Sequence, residues 1–188
     1  MRAVRRIGTD EGGQGIVEIL IAIAIINVAI LAMFAMFQAG GLSVLRAGQT
    51  STGAVLAEKQ TELYRAMLYT NIQLNDGLVT TAGSDSLHIS VSEWGSSTAQ
   101  VKSSSCANTL PECMPIQASA TGADGRSYRV DTYIQVVTPS SGRAGKQVTV
   151  VVRLASDTSR VLAKLTSNFD LATGCTTDTS AAAAARCS

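Results

Sequence analysis

The pattern of apolar and polar residues predicts two helical stretches in the first third of the chain. From Ile19 to Phe37 every residue is apolar except Asn27, and nineteen residues in a helix span roughly 28 Å, close to the ~30 Å core of a bilayer. From residue 42 to 72, apolar residues recur at three- and four-residue steps, which predicts an amphipathic helix with one buried stripe. The predicted stripe comprises Leu42, Leu45, Gln49, Thr52, Leu56, Leu63 and Met67.

After a turn signal at residues 75–77 (Asn-Asp-Gly), the pattern changes to alternation, which predicts antiparallel strands with one covered face. The predicted strands are 87–91, 128–136, 148–154 and a weaker one at 160–167, with hairpin loops at 140–145 and 156–159. The predicted fold class is therefore α+β: a long N-terminal helix packed on a four-stranded antiparallel sheet within residues 86–168.

The residues before the apolar run are short and basic. Residues 1–13, MRAVRRIGTDEGG, include three arginines, which favour a cytoplasmic N terminus. An ordinary signal peptide cut near residues 39–41 (Ala-Gly-Gly) is one alternative, although the apolar run is longer than such peptides have. A lipoprotein would need a cysteine just after the run, where this chain has none. A plain membrane anchor fits the length of the apolar run, but it does not explain why the helix carries the acid Glu18, which raises the free energy of insertion.

The stretch around Gly13 resembles the class III signal of type IV pilins and their relatives. Gly13 ends the basic leader, QGIVE occupies residues 14–18, and the apolar run ILIAIAIINVAILAMFAMF follows. The resemblance implies that a prepilin peptidase cuts between Gly13 and Gln14. It also implies that Gln14 is then N-methylated, and that Glu18, the fifth mature residue, guides assembly by neutralising the N-terminal ammonium of a neighbouring subunit.

The resemblance also implies the organisation and location of the chain. Residues 1–13 are the leader, residues 14–38 the transmembrane and polymerisation half of the helix, and residues 39–188 an extracytoplasmic pilin-like head. The implied partners are the prepilin peptidase, other pilin subunits and, indirectly, the inner-membrane platform and the assembly ATPase. The chain is expected to cross the cytoplasmic membrane once with its N terminus inside, and then to enter an extracellular filament.

Three positions depart from the usual pilin pattern. Gln14 stands where the family most often has Phe, Gly15 replaces the common Thr, and Ala35 lies where many major pilins have a proline. Gly40-Gly41 is predicted to supply a flexible point instead. These departures favour a minor pilin, with a type II secretion pseudopilin or a plain membrane-anchored exported domain as alternatives.

The composition predicts a modest hydrophobic core that disulfides support. The chain has 188 residues, 46% hydrophobic but only 4% aromatic, and a net charge of +1. Its four cysteines, Cys106, Cys113, Cys175 and Cys187, allow three pairings, of which sequence proximity favours the two local ones. Their spacing, together with a single histidine, is poor for zinc, so no metal site and no cofactor are predicted.

No arrangement of residues predicts an enzyme, so no catalytic residue is assigned. The only histidine, His88, is expected to be an exposed structural residue inside the strand at 87–91, and no phosphate-binding glycine loop is present. A DNA- or surface-binding pilus component is a further alternative, because the sequence between residues 122 and 164 contains seven basic residues and only three acidic ones. These basic residues are Arg126, Arg129, Arg143, Lys146, Arg153, Arg160 and Lys164. Scattered charges at strand ends explain the same count without a nucleic acid partner.

Overall fold

The first element of the fold is a long helix, as the sequence predicts. The computed structural model describes residues 14–138, 140 and 144–170. Helix α1 spans Gln14–Arg65 and contains 52 residues. It continues through residues 40–41 without interruption, so the predicted flexible point is not a break in the helix.

The described chain divides into two units, one ending at Arg46 and the other beginning at Ala47. The first unit consists of the apolar part of α1. The second unit contains the rest of α1 and all the strands. Its core can therefore be described independently of the apolar segment.

Helix α1 ends at Arg65, seven residues before the predicted end at residue 72. After it the backbone becomes extended at Leu68 and forms one 3-10 turn at Tyr69–Asn71. Lys146 Nζ donates to the carbonyl oxygens of Tyr69 and Ile72, each at 2.8 Å. The Tyr69 carbonyl also accepts from the backbone N–H of Ile72 at 3.3 Å, so the lysine binds the backbone of this turn and of the residue after it. The long-range contact therefore holds in place residues after the helix that the sequence pattern had assigned to it.

A four-stranded antiparallel sheet forms the centre of the second unit, which confirms the α+β prediction. Its strands are β3 (Ile116–Thr121), β4 (Ser127–Val137), β5 (Gly145–Leu154) and β6 (Asp157–Phe169), in that order across the sheet. The last three contain the predicted strands at 128–136, 148–154 and 160–167. The sheet begins at β3 rather than at residue 86.

Both predicted hairpin loops join neighbouring strands. The loop predicted at residues 140–145 lies partly outside the described residues, and β5 already includes Gly145. The loop predicted at residues 156–159 is shorter than expected, because β6 begins at Asp157.

The predicted strand at 87–91 is wrong: this region contains the short helix α3, Ser86–Ile89. The side chain of Asp85 accepts a hydrogen bond from the backbone N–H of His88 at 2.9 Å, which is the N-cap arrangement that begins a helix. Three alternating apolar residues are too few to outweigh this local cap.

The predicted turn at residues 75–77 is the start of another helix, α2, which spans Asp76–Ala82. The side chain of Asn75 accepts from the backbone N–H of Leu78 at 3.0 Å and caps this helix. Two short strands, β1 (Leu74–Asn75) and β2 (Lys102–Ser103), pair in parallel beside it. The segment between α1 and the sheet is therefore helical with one small strand pair.

The buried face of α1 in the second unit is centred one position away from the predicted stripe. Gly53, Ala57, Gln60, Thr61 and Tyr64 are buried, whereas the predicted Leu42 and Leu45 are exposed and Gln49, Thr52, Leu56, Leu63 and Met67 are half-buried. Small residues lie at the centre of the contact because the helix approaches the sheet closely. A Cβ atom on Gly53 would lie 3.1 Å from the Cβ of Leu162 on β6.

We expect Gly53→Leu to lower the free energy of unfolding by about 1–3 kcal/mol, because the larger side chain cannot fit between α1 and β6. The matched control is Gly48→Leu, where a Cβ atom meets no neighbour within 4 Å. This control should be neutral or slightly stabilising, since leucine favours a helix more than glycine does. Urea unfolding of the full chain in mild detergent measures both. Equal effects of the two substitutions would contradict the close contact.

Candidate functional site

The first unit carries an uncovered apolar helix with one acid near its start. Fifteen large apolar side chains between Ile16 and Phe37 keep between 46% and 80% of their surface exposed. Glu18 is the only charged residue from Gln14 to Leu45, and it is also exposed. In the part of the chain that the structure describes, α1 is the one helix long and apolar enough to cross a membrane. A signal sequence near the N terminus passes the same test of length and composition.

The predicted processing residues lie at the edge of the described chain. Gly13 lies outside the described residues, and Gln14 is the first residue of α1. Glu18 follows Gln14 by four residues, about 6 Å along the helix axis. A free ammonium at Gln14 could therefore pair with Glu18 of its own chain or of a neighbour, and the positive end of the helix dipole favours an anion here even without a partner. Cleavage and methylation remain predictions.

Cys106 and Cys113 form one of the two predicted local disulfides. The other predicted pair, Cys175 and Cys187, lies outside the described residues. The loop closed by Cys106–Cys113 comes before β3, the first strand of the main sheet. Because the predicted strand at 87–91 does not form, the loop precedes all four strands of this sheet.

The disulfide loop is attached to the buried face of α1 by two hydrogen bonds. Tyr64 Oη donates to the carbonyl oxygen of Glu112 at 2.6 Å, and Gln60 Nε2 donates to the carbonyl oxygen of Pro111 at 3.0 Å. Burial raises the pKa of Tyr64 well above its ordinary value, so the phenol stays protonated and can act as donor. The loop is thus a fixed part of the second unit.

A groove of about 380 Å³ lies between α1, the disulfide loop and β3. Its lining residues are Leu56, Lys59, Gln60, Leu63, Pro111, Glu112, Gln117, Ala120, Thr121 and Val130. Apolar side chains and amides dominate, with one charge of each sign. No histidine, serine or cysteine is among the residues that line this groove.

A buried carboxylate, Asp131 on β4, lies within hydrogen-bond distance of three side chains, those of His88, Arg129 and Arg153. Arg153 Nη1 lies 2.7 Å from one carboxylate oxygen, and Arg129 Nη2 lies 2.9 Å from the other. His88 Nδ1 lies 3.1 Å from that second oxygen. Arg129 also contacts Asp85, the cap of α3, at 3.1 Å. This cluster, which the sequence analysis missed, ties α3 to the sheet.

His88 is fully buried in α3, which corrects the prediction of an exposed histidine in a strand. Its ring stacks on Tyr133 at a centroid distance of 4.5 Å and meets the edge of Trp94 at 5.0 Å. Tyr133 Oη also donates to the carbonyl oxygen of His88 at 2.9 Å. Among the described residues, His88 Nε2 has no hydrogen-bond partner, whereas a Ser-His-Asp triad requires a hydroxyl at that atom. The His88–Asp131 pair is therefore best explained as a structural contact.

The cluster also determines how the carboxylates respond to acid. Burial acts to raise the pKa of Asp131, but hydrogen bonds from His88 and Arg129, together with the positive charge of Arg129, hold that pKa below its ordinary value. The hydrogen bond from Arg129 likewise lowers the pKa of Asp85. Both carboxylates thus stabilise the fold in their ionised form.

Several of the basic residues that suggested a positive face are engaged within the fold. Arg129 and Arg153 pair with Asp131, and Lys146 is buried against backbone carbonyls. Lys164 forms an ion pair with Glu93. These contacts reduce the charge that this region offers to a nucleic acid.

We expect replacing both Cys106 and Cys113 by alanine to lower the free energy of unfolding by about 2–3 kcal/mol, the loop entropy that a short disulfide removes from the unfolded chain. The reference is Tyr64→Phe, which removes one hydrogen bond to the loop and should cost about 1 kcal/mol. Because the two changes affect one loop, their combination should cost less than their sum. Strict additivity in urea unfolding of the full chain would show that the loop and the helix are not coupled.

We expect Asp131→Asn to lower the free energy of unfolding by about 3–5 kcal/mol at neutral pH, because it leaves Arg153 buried without its counter-ion. The exposed Asp76, which pairs with Lys102 on the surface, provides a matched control, and Asp76→Asn should cost less than about 1 kcal/mol. Urea unfolding of the full chain measures both.

The same cluster predicts a pH dependence. The folded-state pKa of Asp131 lies below the unfolded value of about 3.9. Its stabilisation is therefore complete above the unfolded pKa and is lost as the pH falls through the folded pKa. Stability measured from neutral pH to about pH 2 should fall less steeply in Asp131→Asn than in the wild type. An unchanged slope would contradict the assigned role.

Comparisons with known proteins identify no relative of this chain. No family model, no curated protein and no solved structure matches this chain. Among the described residues, no group of three or more His, Cys, Asp or Glu side chains is placed to hold a metal ion. The function must therefore be argued from the N-terminal residues and from the geometry of the two units.

Proposed function

We propose that this chain is a structural subunit of a type IV pilus-like filament, with a minor pilin favoured. The observation that carries the proposal is the exposed apolar helix with one acid, Glu18, close to its start. A chain that leaves fifteen large apolar side chains uncovered needs lipid or other helices around them. In a pilin subunit, lipid covers these side chains first, and the helices of other subunits cover them after assembly.

The proposed assembly step is neutralisation of charge between subunits. Cleavage after Gly13 would create an ammonium at Gln14, and an ammonium and a carboxylate are each costly alone in an apolar setting. Pairing the ammonium of an incoming subunit with Glu18 of an assembled one offsets both costs and fixes the axial register of the helices. Methylation of Gln14 would follow cleavage.

The proposed location follows from the same segment. The helix crosses the cytoplasmic membrane once, with the basic leader inside and the second unit outside. The partners are then the prepilin peptidase, other pilin subunits and, indirectly, the membrane platform and assembly ATPase. The α+β second unit, with its disulfide loop fixed to α1, supports this assignment as a head that suits an oxidising compartment.

The departures at Gln14, Gly15 and Ala35 favour a minor pilin over a shaft subunit. A type II secretion pseudopilin has the same type of N terminus and remains the alternative within the scaffold class. A plain membrane anchor is the alternative outside it, and that anchor should insert as well or better without Glu18.

The test is incorporation of the full chain into extracellular filaments. Glu18→Gln should reduce incorporation by at least about tenfold, because it removes a charge whose pairing in an apolar setting exceeds 1.4 kcal/mol. Glu18→Asp keeps the charge and is the matched control, which should assemble better than Glu18→Gln. Membrane levels of all three chains should be equal.

Two results would count against the proposal. Absence of the wild-type chain from filaments, with the chain retained in the membrane, would favour the plain anchor. Equal incorporation of Glu18→Gln and wild type would show that charge pairing does not drive assembly.

A further inference from the structure

Asn27 is the one polar side chain between Ile19 and Phe37. It is exposed on α1, and within the described chain its carboxamide makes no hydrogen bond to its own helix or to any other residue. A carboxamide carries two N–H donors and an acceptor oxygen, so it is an unsatisfied polar group wherever water is absent.

The position of Asn27 places this group at the centre of the apolar segment. Asn27 follows Glu18 by nine residues and precedes Phe37 by ten, which is about 14 Å and about 15 Å along the helix. The ~30 Å bilayer core therefore has its midplane close to this residue. The asparagine side chain is too short to reach water from that depth. Its amide needs a partner inside the membrane.

We propose that Asn27 pairs with Asn27 of a second copy of this chain, so that the membrane-anchored protein forms a parallel dimer. All copies insert in the same direction and to the same depth, which brings identical residues to the same level. A carboxamide is self-complementary, because each copy can donate an N–H and accept with its oxygen. Polar side chains join transmembrane helices in this way, and one buried asparagine fixes the register of paired helices. This inference rests on the membrane-anchored state of the proposed function.

The pairing is separate from the proposed role of Glu18. Nine residues at about 100° each place Glu18 and Asn27 roughly 180° apart, on opposite sides of the helix. Pairing of Glu18 with a neighbour's Gln14 ammonium shifts two helices by about 6 Å, whereas pairing of Asn27 with itself requires no shift. The Asn27 contact therefore belongs to copies of the chain that are still in the membrane and have not yet assembled into a filament.

The test measures association of the purified full chain in phosphatidylcholine vesicles. Donor- and acceptor-labelled copies are inserted into preformed vesicles, so that the polar second unit stays outside, and energy transfer is followed as the protein-to-lipid ratio changes. We expect Asn27→Leu to weaken dimer formation about three- to tenfold, the range found for single hydrogen bonds between membrane helices. Asn27→Gln keeps the amide and should retain most of the association.

A second pair of substitutions tests the register. Leu31 lies one turn after Asn27 on the same side of α1. The chain with Asn27→Leu and Leu31→Asn should associate with itself as the wild type does. Mixed with the wild type it should associate as weakly as Asn27→Leu, because the two amides are then about 6 Å apart.

Wild-type copies that do not associate, or Asn27→Leu copies that associate as strongly as wild type, would overturn the inference. In the second case the copies associate through other residues of the helix. Neither result depends on filaments, so failure here is distinguishable from failure of the proposed function. A chain that does not insert into vesicles at all would contradict both.

Discussion

The apolar surface of the first unit is the constraint on which the rest of the account depends. Fully burying one large apolar side chain contributes about 1.5–3 kcal/mol, so covering the fifteen that α1 leaves exposed between Ile16 and Phe37 amounts to something on the order of 20 kcal/mol. That exceeds the 5–15 kcal/mol by which a typical domain is stable. The segment therefore decides where the chain resides, and the second unit must fold without it.

The large free energy gained by covering the apolar side chains also explains how the segment can contain polar groups. An acid at the centre of a membrane helix costs about 2.5–3.5 kcal/mol, and less near its end, where Glu18 lies. Insertion can tolerate that cost and still leave the carboxylate in need of a partner. The second unit meets its own requirement differently, since Asp131 and its two arginines form a complete buried cluster. The Asp131 carboxylate is thus satisfied within the second unit, whereas the Glu18 carboxylate in the first unit is exposed.

Local patterns in the sequence predicted the elements that depend on neighbours in the chain. The apolar run, the alternation of β4, β5 and β6, and the short Cys106–Cys113 loop are of this kind, and the structure confirms them. Some errors come from the local caps Asn75 and Asp85, which begin short helices, and others from contacts that join distant residues. Lys146 on β5 binds the backbone that follows α1, and Asp131 contacts His88, which lies 43 residues away in the chain. One available signal was overlooked: a charge such as Asp131 in the middle of an apolar strand requires a buried partner. Strand β3, IQASAT, carries too few apolar residues to be recognised.

The most direct test of the central claim is the mass of the N-terminal peptide of the chain recovered outside the cytoplasm. The account predicts a peptide that begins at Gln14, carries one added methyl group, and keeps the apolar segment attached to the second unit. A chain that begins at Leu42, after a cut following Gly41, would have discarded the apolar segment. That result would contradict the account, because nothing would then remain for lipid or neighbouring helices to cover.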